Sequence, residues 1–301
     1  MRKSKGDKVF DYVNTALLLL VAAIMIYPLY FTIIASVSEP RYVSLGEVVL
    51  LPKGFWLDAY TNVFNNVLIW RGYLNSIIYT VFGTLLSLAI TIPAAYALSK
   101  RWLKGHTLLS WYFLTTMFVS GGLIPTYLLV RDLNLLNKPY TLIVLGAFSV
   151  FSMIISRIFY QTNVPEELYE AARIDGCSEF GQFFRIALPL STPIIAVMAL
   201  FTAVGKWNDF FSALIFLSNP RYSPLQLVLR NILIQNQLAI VSLNLGVLST
   251  DDRALALMRQ RYLAEAMKYS LIFIASAPLL IAYPFVQKHF VKGVLIGSLK
   301  G

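Results

Sequence analysis

Charge is scarce in this chain: of 301 residues only 13% are Asp, Glu, Lys or Arg, about half the share usual in a soluble domain. A water-facing globule is therefore excluded. A single cysteine, Cys177, excludes an intrachain disulfide and any multi-cysteine metal site. The two histidines, His106 and His289, stand far apart beside basic clusters and read as snorkelling flanks of apolar runs rather than metal ligands. There is no glycine-rich phosphate loop ending in Gly-Lys-Ser/Thr, no Ser-His-Asp set and no metal motif, so no catalysis, metal or cofactor is expected of this chain. The net charge of +10 does not point to nucleic acid, because the basic residues sit in short clusters beside apolar runs.

Apolar residues make up 57% of the chain and gather into six runs, 13–36, 73–98, 108–130, 140–160, 188–217 and 268–286. At about 1.5 Å per helical residue, each can cross a hydrocarbon core of about 30 Å. The expected fold is all-α, a polytopic membrane protein of six transmembrane helices. The first run follows the basic stretch MRKSKGDKVF and is too long for the roughly 7–15 residues of a signal-peptide core, so it reads as an uncleaved span. Arg2, Lys3, Lys5 and Lys8 at the N-terminus, and Lys100, Arg101 and Lys104 in the short 99–107 loop, place both on the cytoplasmic side. Both termini are then cytoplasmic, and parity puts 161–187 there too. The organisation expected is 1–69 (N-terminus, first span and outer loop), 70–286 (a five-helix core with the inner loop 161–189 and the outer loop 218–267) and 287–301 (a cytoplasmic tail).

Segment 161–187 cannot cross a bilayer. Its five acids with Arg173 and Arg185, at roughly 3 kcal/mol each near the centre, would cost on the order of 20 kcal/mol. Pro165 suits a first helical position, with Glu166 and Glu167 at the positive end of the helix dipole. Gly176 can supply a left-handed cap, and Ser178 an N-cap for a second helix. In that second helix Phe180, Phe183, Phe184 and Ala187 fall at i, i+3, i+4 and i+7, the spacing of an aromatic face. The segment is either a connector on the headgroups or a docking element, and its acids argue against an anionic membrane surface.

Glu170-Ala171-Ala172, three residues, Gly176, nine residues and Ile186-x-Leu188-Pro189 resemble the EAA loop of ABC importer permeases. Trp207-Asn208-Asp209-Phe210 and the end from Lys292-Gly293 to Lys300-Gly301 resemble the second permease subunit of the carbohydrate-uptake, maltose-type branch. Ser120-Gly121-Gly122-Leu123-Ile124-Pro125-Thr126-Tyr127 is similar to a Gram-positive subgroup for complex oligosaccharides. The resemblance implies a type I importer permease with cytoplasmic coupling helices in a cleft of a separate ATPase homodimer, which carries the ATP and Mg²⁺. It also implies a second, different permease, an extracellular lipid-anchored solute-binding protein and an oligosaccharide substrate. Glu170, Ala171, Ala172, Asp175 and Gly176 would then meet the ATPase, while Ile186, Leu188 and Pro189 anchor the second helix to the membrane. The tail would insert between permease and ATPase.

Polar residues inside a span are functional candidates, which marks Lys206, Asn208 and Asp209, with Trp207 and Phe210 as rings on which a sugar could stack. The alternative, favoured on spacing, is a Lys206–Asp209 pair at i, i+3 that stabilises the helix and touches no sugar. In the outer loop the resemblance implies a segment, roughly 244–262, that reaches into the binding protein, with Arg253, Arg259 and Arg261 as contacts. These arginines equally suit surface pairing with Asp251, Asp252 and Glu265. A secondary transporter would show broken helices and midplane charges, but has no place for the EAA spacing. An intramembrane enzyme would need paired acids, His or Ser within spans.

Overall fold

The computed structural model describes residues 4–245, 262, 264, 267–278, 280 and 281. They are all-helical apart from turns and one isolated antiparallel bridge, Ser38–Phe55. Two compact units emerge, Met1–Val67 with Leu229–Ala277, and Leu68–Val228 with Pro278–Gly301.

In the first unit, α1 (Lys5–Ser36) contains the expected first span. Its side chains from Leu17 to Ile26 are all apolar and, Ala22 apart, exposed, as suits a helix whose solvent is lipid. The Asp7 carboxylate accepts from the Ser4 amide at 3.0 Å and closes the N-terminal turn. Pro28 has no N–H to give the helix ladder, and Thr32 Oγ1 donates to its carbonyl at 2.8 Å. Beyond α1 the short α2 (Pro40–Ser44) and α3 (Asp58–Phe64) fold back on its end. Ile34, Ala35, Val43 and Val48 form a small core against Phe31, Tyr42 and Tyr269. Tyr60 Oη donates to Ser36 Oγ at 2.7 Å.

The second unit is built on α4 (Val67–Ser99), which contains the expected second span. One face of α4 is a ladder of small residues, Gly72, Ser76, Gly83, Ser87, Thr91 and Ala95, all buried. Small side chains let two membrane helices approach backbone to backbone. A Cβ on Gly72 would stand 3.0 Å from Leu225 Cα, and Ser76 Oγ accepts from the Leu225 amide at 2.8 Å. Leu225 begins α14 (Leu225–Leu245).

The third to fifth runs are not single helices. Run 108–130 is α5 (His106–Phe118) and α6 (Leu123–Asp132), bent by 112°. Gly122 at φ +83° makes this corner, a backbone geometry that side chains with a Cβ resist. Run 140–160 is α7 (Tyr140–Val144) and α8 (Val150–Asn163), broken at Gly146, φ +68°. Run 188–217 is α12 (Thr192–Asn208) and α13 (Phe211–Phe216), preceded by a 77° bend at Ser191. Mean hydropathy does not register such corners, because the residues that turn the chain are themselves apolar or small. Only part of run 268–286 lies among the described residues, and the tail 287–301 lies outside them.

Candidate functional site

The matched loop folds as two short helices around a glycine turn. Pro165 is the N-cap, one position before the expected first turn, and α9 runs Glu166–Ile174. The Gly176 amide donates to Arg173 O at 3.0 Å and the Cys177 amide to Ala172 O at 2.8 Å. Gly176 itself sits at φ +74°. These two bonds with a left-handed glycine make a Schellman cap. Ser178 Oγ then accepts from the Gly181 amide at 3.2 Å and starts α10 (Glu179–Gln182), the N-cap expected.

The aromatic face does not form as spaced. Residues Phe183–Ala187 are a π turn, running into α11 (Leu188–Leu190) with Pro189, which has no N–H to offer, inside it. The wider turn shifts the register, so Phe183 and Ala187 are buried while Phe180 and Phe184 are 79% and 60% exposed.

One face of α9 is held tightly. Tyr169 is buried at 1% exposure among Tyr96, Tyr160 and Phe183. The Tyr96 ring lies 6.0 Å from that of Tyr169 and 5.1 Å from that of Phe183. Tyr160 Oη and Ser191 Oγ share a hydrogen bond of 3.0 Å. Lys100, just past the end of α4, lies over the Tyr169 ring with Nζ 2.9 Å from its centroid. Its ammonium is 3.7 Å from a Glu166 carboxylate oxygen. Burial lowers the pKa of Lys100, while Glu166 opposes that by favouring the charged form. Burial likewise pushes the Tyr169 phenol above its ordinary value. The opposite face of α9 is open: Glu170, Ala171, Asp175 and Gly176 are exposed, and Ile174 is 87% exposed. Ala172 is buried, Ile186 and Leu188 are half-buried and Pro189 is exposed.

In the middle of the second unit a cleft of about 470 Å³ opens between α4, the α7–α8 break and α12. Lys206 lies on its wall, and its hydrogen bonds go to backbone carbonyls, while Asp209 acts on it only through its charge. Nζ donates to Leu142 O at 2.7 Å and Leu145 O at 2.5 Å, with Ile143 O at 3.5 Å. These carbonyls are the ones left unpaired where α7 stops, so the ammonium caps a broken helix. Its stem lies on Gly83, where a Cβ would meet Cε at 3.0 Å. Asp209 instead accepts from the Ser212 amide at 2.9 Å and starts α13. Asn208 Nδ2 donates back to Val204 O at 2.9 Å. Trp207 is buried against Tyr73 and Phe210 lies beside Phe211, so neither ring lines the cleft.

The structure thus groups Glu170, Ala171, Asp175 and Gly176 on one exposed surface, and Lys206 with Asp209 on one cleft. Arg253, Arg259 and Arg261 lie outside the described residues. Sequence reasoning did not assign roles at these sites to Tyr169, Tyr96 or Lys100, nor to the small face of α4. The repeated spacing of Gly72, Ser76, Gly83, Ser87 and Thr91 was a usable signal for the last.

Comparison with known proteins is extensive. A family model described as a binding-protein-dependent transport system inner membrane component matches residues 69–296. The chain is 43% identical to protein LplC of Bacillus subtilis (strain 168) over 301 residues, 100% of this chain and 98% of that one. It is 38% identical to the polygalacturonan/rhamnogalacturonan transport system permease protein YtcP of the same organism, over 98% of this chain and 99% of the relative. Among solved structures it resembles a chain of a bacterial ABC transporter involved in import of the acidic polysaccharide alginate. The TM-score there is 0.82 at 31% identity, covering 96% of this chain and 99% of that one.

Proposed function

This chain belongs to the family of binding-protein-dependent transport system inner membrane components, and from that premise we propose how it works as a permease subunit of an ATP-driven importer. It is a multi-pass membrane protein and a transport subunit rather than an enzyme, and it works with an ATPase and a solute-binding protein. Its cargo is an oligosaccharide or complex glycan, a reading supported by relatives named for polygalacturonan/rhamnogalacturonan and arabinooligosaccharides and by the alginate importer. It pairs with a second, different permease and crosses the cytoplasmic membrane six times, with spans three to five bent and both termini inside. ATP and Mg²⁺ are bound by the ATPase homodimer, not by this chain. The tail beyond residue 286 lies between permease and ATPase, and Arg253, Arg259 and Arg261 face the binding protein.

The observation that carries the coupling assignment is the two-sided α9. Tyr169 and Ala172 tie it to the membrane core, while Glu170, Ala171, Asp175, Gly176 and Ile174 stand free of that core. Through this surface, closure of the ATPase dimer turns α9, and Ile186, Leu188 and Pro189 pass the motion to α12. Two substitutions test it. Glu170→Lys reverses a charge on the docking surface. Gly176→Val places a β-branched residue at φ +74° with open space around it within this chain, so it costs about 1–2 kcal/mol against the turn and adds bulk to the docking surface. Both variants are expected to insert and to retain the second permease, but to lose at least tenfold in ATP-driven uptake. Wild-type uptake by both would reject α9 as the coupling element.

A further inference from the structure

The cleft beside Lys206 sets a few polar side chains into a mostly apolar wall. Besides Lys206 and Asp209 it is lined by Ser87, Ser152 and Thr202, with the ring of Phe201 at its edge. Ser87 and Ser152 are only 3% and 8% exposed in the protein as a whole. Phe201 is 52% exposed although it lies on α12. Its volume of about 470 Å³ falls among ordinary small-molecule sites, about 300–1,000 Å³. A carboxylate on the lining of a membrane-embedded groove favours water or a polar ligand there, because hydrocarbon offers it no partner, and the nearby hydroxyls are suited to the same ligand.

We infer that this cleft is a glycosyl subsite of the translocation path, contributed by this subunit, which takes the hydroxyl edge and one face of a single sugar ring. Phe201 supplies the stacking face. The hydroxyls of Ser87, Ser152 and Thr202 and the Asp209 carboxylate exchange hydrogen bonds with ring hydroxyls. One Asp209 oxygen is spent on the Ser212 amide, and the other is without a hydrogen bond among the described residues. Lys206 is a positioning residue. Its ammonium is committed to the Leu142 and Leu145 carbonyls, so it holds the α7–α8 break that forms one wall. The subsite therefore reads hydroxyls, which neutral and acidic sugars share, and a uronate carboxylate must find its cation elsewhere. This inference rests on the importer reading above and adds which sugar atoms this subunit touches.

The test uses the assembled transporter, with Cys177→Ser as background and labelling read on this chain after separation of the subunits, so that a single new thiol reports. Thr202→Cys and Ser152→Cys are treated with a charged, water-soluble methanethiosulfonate, alone and with galactobiose, arabinotriose, digalacturonate or an alginate trisaccharide. Both thiols are expected to react, at least fivefold more slowly in the presence of a saturating sugar. Protection by a neutral sugar, with or without the uronates, upholds hydroxyl recognition; protection by uronates alone overturns it. Thiols inert in the resting and ATP-bound states alike would mean a dry groove. Reaction that none of the four sugars slows would mean an aqueous passage without a subsite. Either result overturns the inference and leaves the importer reading to its own test, ATP-driven uptake and co-purification of the ATPase. Asp209→Asn should raise the uptake KM about tenfold, the loss of one charge-assisted hydrogen bond. Lys206→Met should lower maximal uptake and change the labelling rate of Ser152→Cys, and Lys206→Arg should restore part of both; identical rates in Met and Arg variants would remove Lys206 from the argument.

Discussion

Lys100 is a cation whose side chain the fold leaves only 5% exposed. It faces the Tyr169 ring and the Glu166 carboxylate together. A desolvated cation over a ring contributes about 2 kcal/mol, but burial of the charge, which lowers the pKa of Lys100, offsets part of it. Lys100→Met, which keeps the stem, is expected to cost about 1 kcal/mol and to weaken coupling more than stability, seen as uptake falling further than thermal unfolding of the complex shifts. Gly181 gives a sharper test. A Cβ there would stand 2.6 Å from Cys177 Sγ, so Gly181→Ala forces that thiol into another rotamer, at about 0.5–1.5 kcal/mol, and loses the helix-propensity gain that alanine would otherwise bring. Cys177→Ala should restore most of it, and the double-mutant cycle should be strongly non-additive; two additive effects would place the strain elsewhere. Gly176 and Ser178 were legible in the sequence because caps depend on neighbours three residues away. The role of Lys206 was not, since its partners are carbonyls more than sixty positions distant along the chain, and carbonyls leave no mark in a side-chain sequence.

At the level of elements, the two-helix loop follows from its punctuation, whereas the broken spans do not. Gly122 and Gly146 adopt left-handed or mirror-extended backbone inside windows that remain apolar throughout. The Phe180–Ala187 stripe failed for a related reason: helical spacing assumes 3.6 residues per turn, and the π turn before Pro189 does not keep it. The small face of α4 separates two kinds of close contact. Gly72 abuts the backbone of Leu225, and Gly83 abuts a lysine stem. Backbone cannot yield, so Gly72→Ala is expected to destabilise the complex by about 1–3 kcal/mol. Gly83→Ala displaces a flexible side chain and should change uptake more than melting temperature. Equal melting shifts for the two would mean that the Lys206 stem is as fixed as backbone.

For the molecule as a whole, orientation in the membrane rests on two short basic segments, and the lone cysteine tests it. Cys177 is partly exposed beside the glycine turn. It should resist a membrane-impermeant maleimide in protoplasts and react in inside-out vesicles stripped of ATPase; labelling from outside would invert the topology. The family was readable because its motif is contiguous, but the wall of the Lys206 cleft is assembled from α4, α8 and α12, which meet only after folding. That assembly has a mechanical side. The α4 rod is gripped near its C-terminal end by Tyr96 and touches the Lys206 stem at Gly83, about 20 Å further along at 1.5 Å per residue. Taken as rigid across Pro93, it is a lever pivoted beside the 161–189 loop. A tilt of about 5° at the pivot sweeps the far point by roughly 1.7 Å over that arm. Such a displacement is more than the 0.8 Å between the 2.7 Å and 3.5 Å contacts that Lys206 makes with neighbouring carbonyls. On the proposed mechanism, a rotation that small at the α9 surface is enough to unfasten the wall of the Lys206 cleft.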